Sequence, residues 1–428
     1  MRVLLTTYPE RTHFLALVPL AWALRTAGHD VRVAVQPKFA PTVTQAGLTA
    51  APVGRNSDLW QILGRYGHFL TDDPNDLGIP PPYDAVEREA TAITWDYLVT
   101  GYARQVERWH KISNVPMIAG LVEFARQWKP DLVLWEPTTY AGPIAAKACG
   151  AVHGRVLLGP DIYGVARDHF LRLRAQRSPG EQHDPMADWL GACARKYGGE
   201  FGEDMVTGQF TVEQLPESLR LSANLRYLPM RYVPYGGQAV VPRWLRARPE
   251  RPRIALTMGL TTSEHDIDQS EALREMLGGL AELDAEVVAT VAEADQKRLG
   301  PLPGNIRMVS YVPLTALVPT CDVLVHHAGF GTLATTIPYA VPQLLLPTEH
   351  DAPMLGRMFA AQGAGLSLGP GEHSASHITA GVTRLLTESG FREGAAGLRE
   401  EMLALPAPNE VVARIEDLVR SSSLVAHK

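Results

Sequence analysis

The sequence predicts an α/β protein of two Rossmann-like domains facing each other across a cleft, and three observations lead there. Short apolar runs alternate with helical spacings from the first residues, the pattern of βαβ units and a parallel sheet. The alternation is interrupted by a Pro/Gly/Tyr-rich passage, MRYVPYGG, and an Arg-rich one, PRWLRARPERPR, and then restarts. A chain of 428 residues also exceeds what one ordinary core accommodates.

The elements follow in order. Residues 3–5 read as a buried strand, Leu17, Leu20, Ala21 and Leu24 recur at helical spacing until Gly28 stops the helix, and 31–35 resume as a strand. The segment 54–82 is rich in Gly, Pro, Asp and Asn without periodicity and is expected to be a long loop of functional kind. Helical patterns follow over 85–110 and 116–128, then a strand at 131–135, a helix at 141–148 and a strand at 152–158. Mixed helical stretches lead to the linker. Beyond it come a strand at 253–258, a helix at 271–283, strands at 286–291, 306–309 and 323–325, a helix, and a strand at 343–346. Helices close the chain, the last over 409–424 beyond the Pro406 and Pro408 break. The expected division is 1–235 and 236–408.

Composition narrows the function. A chain that is 46% hydrophobic and 20% charged is globular, and 40 basic against 46 acidic side chains, net −6, offers no footing for nucleic acid. Cys149, Cys193 and Cys321 lie far apart and form no paired framework, which fits a reducing compartment. No apolar run approaches the ~20 residues that span a bilayer, and the opening MRVLLTTY lacks a basic, cleavable leader pattern. A cytoplasmic protein without membrane partners is expected.

Two groups of residues carry chemistry. His13 follows the first strand and Glu136 the strand at 131–135, both at strand carboxyl ends, where open α/β sheets bind ligands. A histidine there can take a proton from a hydroxyl, and a carboxylate within reach would set its tautomer and stabilise the imidazolium. Their plainer readings are a loop-lining histidine and a solvated loop acid; Asp161, after the next strand, is the reserve carboxylate. The second group is the stretch 323–351, VLVHHAGFGTLATTIPYAVPQLLLPTEHD. Gly329 and Gly331 let a backbone approach a ligand at a helix start that favours an anion. His326 and His327 are adjacent on a strand end and point to opposite faces, a poor chelate, so no metal is expected. Gly329, Gly331 and Ala334 also fit a G-x-G-x-x-A dinucleotide fingerprint, with Glu349 20 residues after Gly329. That fingerprint belongs on a domain's first strand, however, and here it falls on the fourth of the second half. Glu349 and Asp351 sit where carboxylates could accept hydrogen bonds from ligand hydroxyls.

Taken together, VHHAGFGT, its spacing to PQLLLPTEHD and the early THFLALVPLAWALRTAGHDVRVA resemble the nucleotide-sugar glycosyltransferases of the two-domain GT-B architecture. PDLVLWEPTTYAGPIAA, DPMADWL, MRYVPYGG and VVPRWL are similar to the bacterial subgroup that attaches deoxysugars to macrolide or aromatic polyketide aglycones, so the resemblance spans most of the chain. It implies an acceptor-binding first domain, to which the last helix returns, and a second domain for the nucleotide-sugar donor. His13 matches the base that deprotonates the acceptor hydroxyl for inverting displacement, and Glu136 falls near its acid partner. His327, Gly329, Gly331 and Thr332 match positions that hold the diphosphate, Val312 one whose backbone meets the base, Gly259 a loop near the phosphates, and Glu349 and Asp351 the loop beside the sugar. The implied substrates are a TDP-deoxysugar and a polyketide aglycone, with no cofactor. An auxiliary protein resembling a haem-free cytochrome monooxygenase and a homodimer are the implied protein partners. Two departures stand out: Ala328-Gly329 where relatives have two glycines, and Ala352 where many have Gln, which fits a donor with fewer hydroxyls. Outside the resemblance, an NAD(P)-dependent oxidoreductase and a catalytically silent acceptor-binding helper stay open.

Overall fold

The computed structural model describes residues 1–58, 62, 78–259 and 270–426. The chain forms two compact units, one of Met1–Gln214, Arg220–Met230 and Pro406–Lys428, the other of Leu215–Leu219 and Arg231–Leu405. Each is a parallel sheet covered by helices, the α/β class the alternation predicts. Most of the loop expected at 54–82 lies outside the described residues.

In the first unit the strands are β1 (Arg2–Thr6), β2 (Asp30–Val35), β3 (Thr49–Pro52), β4 (Leu132–Trp135), β5 (Val152–Val156), β6 (Thr211–Glu213) and β7 (Tyr227–Pro229). They lie in the order β3, β2, β1, β4, β5, β6, β7, every neighbouring pair parallel. Val3, Leu4, Leu5, Val33, Val35 and Leu132 to Trp135 are all buried, because helices cover both faces of a parallel sheet. Each such side chain is worth about 1.5–3 kcal/mol of burial. The order reverses between β1 and β4: the chain builds outward from β1 on one side and from β4 on the other.

Local chemistry sets the helix ends. Thr94 caps the helix Trp95–Gln105 by accepting from the Tyr97 amide at 3.2 Å, and Asp184 caps Pro185–Lys196 by accepting from Ala187 at 3.1 Å. The helix expected over 85–110 is therefore corrected. Its first part folds as 3₁₀ turns at Tyr83–Glu87 and Ala90–Ala92, and it ends in a π-helical turn, Val106–His110. The next helix starts at Lys111, not at 116, and runs through Pro116 to Trp128. The helix Pro408–Ala426 belongs to this unit and packs on the helix Val18–Thr26, burying Val411, Val412 and Ile415, with Glu416 2.9 Å from His29.

In the second unit β8 (Arg253–Thr257), β9 (Glu286–Thr290), β10 (Ile306–Val309), β11 (Val323–His326), β12 (Gln343–Leu345) and β13 (Gly365–Ser367) lie in the order β10, β9, β8, β11, β12, β13. Alternate residues face opposite layers. Ile254, Leu256, Val287, Val323 and Val325 meet Leu277, Leu280, Ile378 and Val382 of the helices Ser270–Ala281 and Ala375–Thr387. Ala255, Val288 and Leu324 meet Leu317, Val318 and Val341 on the other side. Here too the order reverses once, between β8 and β11.

Candidate active site

Loops at the carboxyl ends of strands flanking such a reversal diverge to opposite faces of the sheet and leave a crevice, which makes a reversal the favoured ligand site of an open α/β sheet. His13 and Glu136 sit at the first reversal, and Gly259, His327, Gly329, Gly331 and Thr332 at the second.

In the first unit Thr6 of β1 pairs with Trp135 of β4, so the chain leaves both strands side by side. The β1 exit enters a short helix, Arg11–Leu15, carrying His13; the β4 exit is Glu136. His13 Nδ1 stands 3.5 Å from Glu136 Oε2, the imidazole one-third exposed and the carboxylate buried. Glu136 is thus no solvated loop acid. It accepts from the Thr138 amide at 3.0 Å, the Thr138 hydroxyl at 2.7 Å, the Tyr8 amide at 3.4 Å and the Thr139 hydroxyl. Burial works to raise its pKa, but the adjacent His13, the Thr139 hydroxyl and the Thr138 amide outweigh that and hold it down at about 2. An ionised carboxylate therefore faces Nδ1, leaving Nε2 of His13 as the nitrogen for a substrate. Asp161 takes no part: it accepts from Arg155 at 2.7 Å, from Tyr227 at 2.8 Å and from the Gly164 amide at 2.8 Å, capping the helix Ile162–Arg174.

In the second unit Thr257 of β8 pairs with His326 of β11. His326 and His327 part as their alternation requires, ring planes 85° apart. His326 is fully buried, 2.8 Å from Gln343 Oε1 through Nε2 and accepting from the Ala328 amide through Nδ1 at 3.2 Å. That geometry places its single proton on Nε2. His327 lies between two glycines. A Cβ on Gly259 would come within 2.4 Å of its Cε1, and one on Gly329 within 2.3 Å of its Nε2. Burial pushes its pKa down to about 4, and its buried Nδ1 has no hydrogen-bond partner among the described residues. Gly329 then starts the helix Phe330–Thr336, which holds Gly331 and Thr332 in its first turn. Ala328 adopts φ +65°, the left-handed region, which explains why a glycine suits this position.

The remaining sequence candidates sit nearby in chain but differ in character. Val312 is buried among Leu245, Ala255 and Leu324, so only its main chain can serve a ligand. Glu349 is exposed in the loop after β12, and Asp351 precedes the helix Ala352–Ala361. Among the described residues no three His, Cys, Asp or Glu side chains converge as a metal-ligand set.

Two family descriptions match the chain in succession: "Erythromycin biosynthesis protein CIII-like, N-terminal domain" over residues 22–259 and its "C-terminal domain" over 274–418. The 10-deoxymethynolide desosaminyltransferase of Streptomyces venezuelae is 42% identical, the match covering 98% of this chain and 97% of the relative. The chain belongs to this family of glycosyltransferases. The erythronolide mycarosyltransferase of Saccharopolyspora erythraea is 41% identical over 98% of this chain and 99% of the relative. The crystal structure of the glycosyltransferase VinC in complex with DTDP superimposes with a TM-score of 0.86 at 38% identity, covering 98% of this chain and 100% of that one. The fold is thus GT-B. The oxidoreductase reading of Gly329, Gly331 and Ala334 finds no support in this glycosyltransferase family, and neither does the silent-helper reading.

Sequence reasoning missed the side chains that hold Glu136 and His326 of this glycosyltransferase in place. Thr138 and Thr139 could have been suspected from the run of hydroxyls directly after a strand-end acid in EPTT. Gln343, which fixes the His326 ring, carries no local signal; only the pairing of β11 with β12 brings it there.

Proposed function

We propose that this glycosyltransferase moves a deoxysugar from a TDP-linked donor to a hydroxyl of a polyketide aglycone, macrolide or aromatic, with inversion at the anomeric carbon. The observation that carries the reading is the buried, ionised Glu136 set against Nδ1 of a one-third-exposed His13 at the sheet reversal. The acceptor hydroxyl attacks the anomeric carbon while His13 Nε2 takes its proton, and Glu136 stabilises the imidazolium that results. The bond from that carbon to the diphosphate oxygen breaks, and the electron pair leaves with the nucleoside diphosphate. On this reading the first unit binds the acceptor and the second the donor. His327, Gly329, Gly331 and Thr332 hold the diphosphate, where main-chain N–H groups and the His327 imidazole meet the growing negative charge. Gly259 lies beside the phosphates, the Val312 main chain meets the base, and Glu349 and Asp351 face the sugar. Neither metal nor further cofactor enters the scheme.

Support comes from the relatives' sugars, desosamine and mycarose, and acceptors, 10-deoxymethynolide and erythronolide, and from the DTDP bound by VinC. Ala352, the first residue of its helix, offers a sugar hydroxyl no polar side-chain partner, which suits a deoxysugar. A panel tests this: TDP-desosamine, TDP-mycarose and TDP-glucose against 10-deoxymethynolide and erythronolide, with mass detection of product. Highest activity with TDP-glucose overturns the deoxysugar assignment. Thermal protection by NAD and none by TDP overturns the donor assignment.

The protein partners are part of the same proposal. An auxiliary protein of the haem-free cytochrome type docks on helices of the first unit, the enzyme is a homodimer, and it works in the cytoplasm. Full turnover by the purified chain rules out an obligatory helper, and a light-scattering mass near 46.8 kDa rules out the dimer.

A further inference from the structure

We infer that Asn114 is a positioning residue for the His13–Glu136 pair, because its amide grips at two points, Thr138 and Ala141, the turn that follows Glu136. The inference rests on the proposed role of that pair. Asn114 is 2% exposed, on the helix Lys111–Trp128 one turn beyond the π-helical segment. Its Nδ2 donates to the Thr138 carbonyl at 2.9 Å and to the His110 carbonyl at 2.9 Å, and its Oδ1 accepts from the Ala141 amide at 2.9 Å. These partners leave no freedom to exchange oxygen and nitrogen, since two are carbonyls and one is an N–H.

The two outward bonds fall on the turn from Glu136 to the helix Ala141–Cys149. Ala141 is that helix's first residue, and Tyr140 before it supplies no side-chain cap. Asn114 therefore serves as the cap from another helix, satisfying an amide that would otherwise be an orphan donor. Thr138 is held by its carbonyl from Asn114 while its own amide and hydroxyl hold Glu136. The π-helical turn ends at His110, whose carbonyl accepts from the same Asn114 amide. It turns His110 into a buried box where its Nε2 lies 2.5 Å from the Tyr83 hydroxyl and its ring meets that of Tyr140 at 4.8 Å. π-helical turns recur at functional sites, where they re-aim side chains.

Removing the Asn114 amide frees the Thr138 carbonyl and the Ala141 amide together. The turn then relaxes and Glu136 moves relative to His13; shifts of about 1 Å in such a constellation cost on the order of 100-fold in rate. A residue that acts only through Glu136 has nothing left to lose once Glu136 is disabled, whereas a merely structural residue costs the same in either background. The test is a double-mutant cycle on the full chain with the donor and acceptor found active in the panel above: Asn114→Ala, Glu136→Gln and the double variant. Asn114→Ala is expected to lower kcat about 10–100-fold with the donor KM within about twofold of the parent, and to cost less than about twofold in the Glu136→Gln background. If Asn114→Ala does not fold, Asn114→Asp, which keeps the acceptor for Ala141 and loses the donor to Thr138, takes its place in the cycle. Losses that multiply, or an unchanged kcat in the single Asn114 variant while Glu136→Gln is slow, overturn the positioning role alone. An unchanged kcat in Glu136→Gln overturns the role of the pair, and this inference with it.

Discussion

The two sheet reversals place histidines in the same topological position and treat them oppositely. At the first, His13 is one-third exposed and backed by a buried carboxylate that four protein donors keep ionised. At the second, His326 is buried and held neutral by Gln343 and the Ala328 amide, and His327 is half-buried between two glycines with its pKa also pushed down. The difference teaches that strand-end position says only where a histidine meets a ligand. Its surroundings decide whether it moves a proton or stays neutral as part of an anion cradle.

The contrast can be broken most severely at His13. Replacing it by alanine removes the proton acceptor and is expected to lower kcat by about 10²–10⁴-fold, with TDP binding kept in a titration. Turnover within tenfold of the parent would dismiss His13 as the base. Gly329→Ala attacks the other side. The new Cβ meets the His327 Nε2 at 2.3 Å, so the ring must move, and TDP affinity should fall about tenfold or more while the pH dependence set by the first unit persists. Unchanged affinity would mean that the ring position is irrelevant to the nucleotide.

Acid separates the two kinds of site. Burial, and then the neighbouring His327, push the His326 pKa down to about 3 against an ordinary 6.5. A folded-state pKa below the unfolded one contributes stability that is fully present above about 6.5 and is lost as pH falls from there toward the folded value. Glu136 is also depressed, but its contribution begins to fade only below its ordinary 4.5 and is lost toward 2. Between pH 6.5 and 5, then, buried imidazoles dominate, with His110 adding its own share. The variant His326→Gln should flatten the decline in unfolding free energy read from urea titrations there, by up to about 1.4 kcal/mol per pH unit. Parallel declines in parent and variant would show that His326 does not titrate on unfolding. The smallest effect belongs to Ala328→Gly, which relieves a left-handed alanine at φ +65° but adds unfolded-state entropy and removes a buried methyl. A net gain of no more than about 1 kcal/mol is expected in thermal unfolding, and a clear loss would mean the methyl matters more than the strain.

Much of this was legible in the residues. The apolar alternation gave the two-sheet α/β class, and the strand-end positions of His13 and Glu136 proved to be neighbours because β1 and β4 pair. What escaped was short or non-local. β3, β6, β7 and β13 read TAAP, TVE, YLP and GLS, short segments without the apolar run that marks β4 or β11. Pro116 reads as a helix start, yet it stands inside a helix. The bond from Asn114 to Thr138 joins residues 24 apart on different elements, and nothing at either position announces it. The hydroxyls around Glu136 could be read from the sequence as polar loop residues; their convergence on one carboxylate could not.

The allocation of the helix Pro408–Ala426 to the first unit has a consequence in time. During synthesis the first sheet is complete once β7 has emerged, but the helix Val18–Thr26 still lacks the neighbour that buries Val411, Val412 and Ile415. The roughly 180 residues made in between take on the order of 10–40 s at typical elongation rates. For that interval the nascent chain presents an unfinished apolar surface to the cell, and the unit begun first is finished only after its successor.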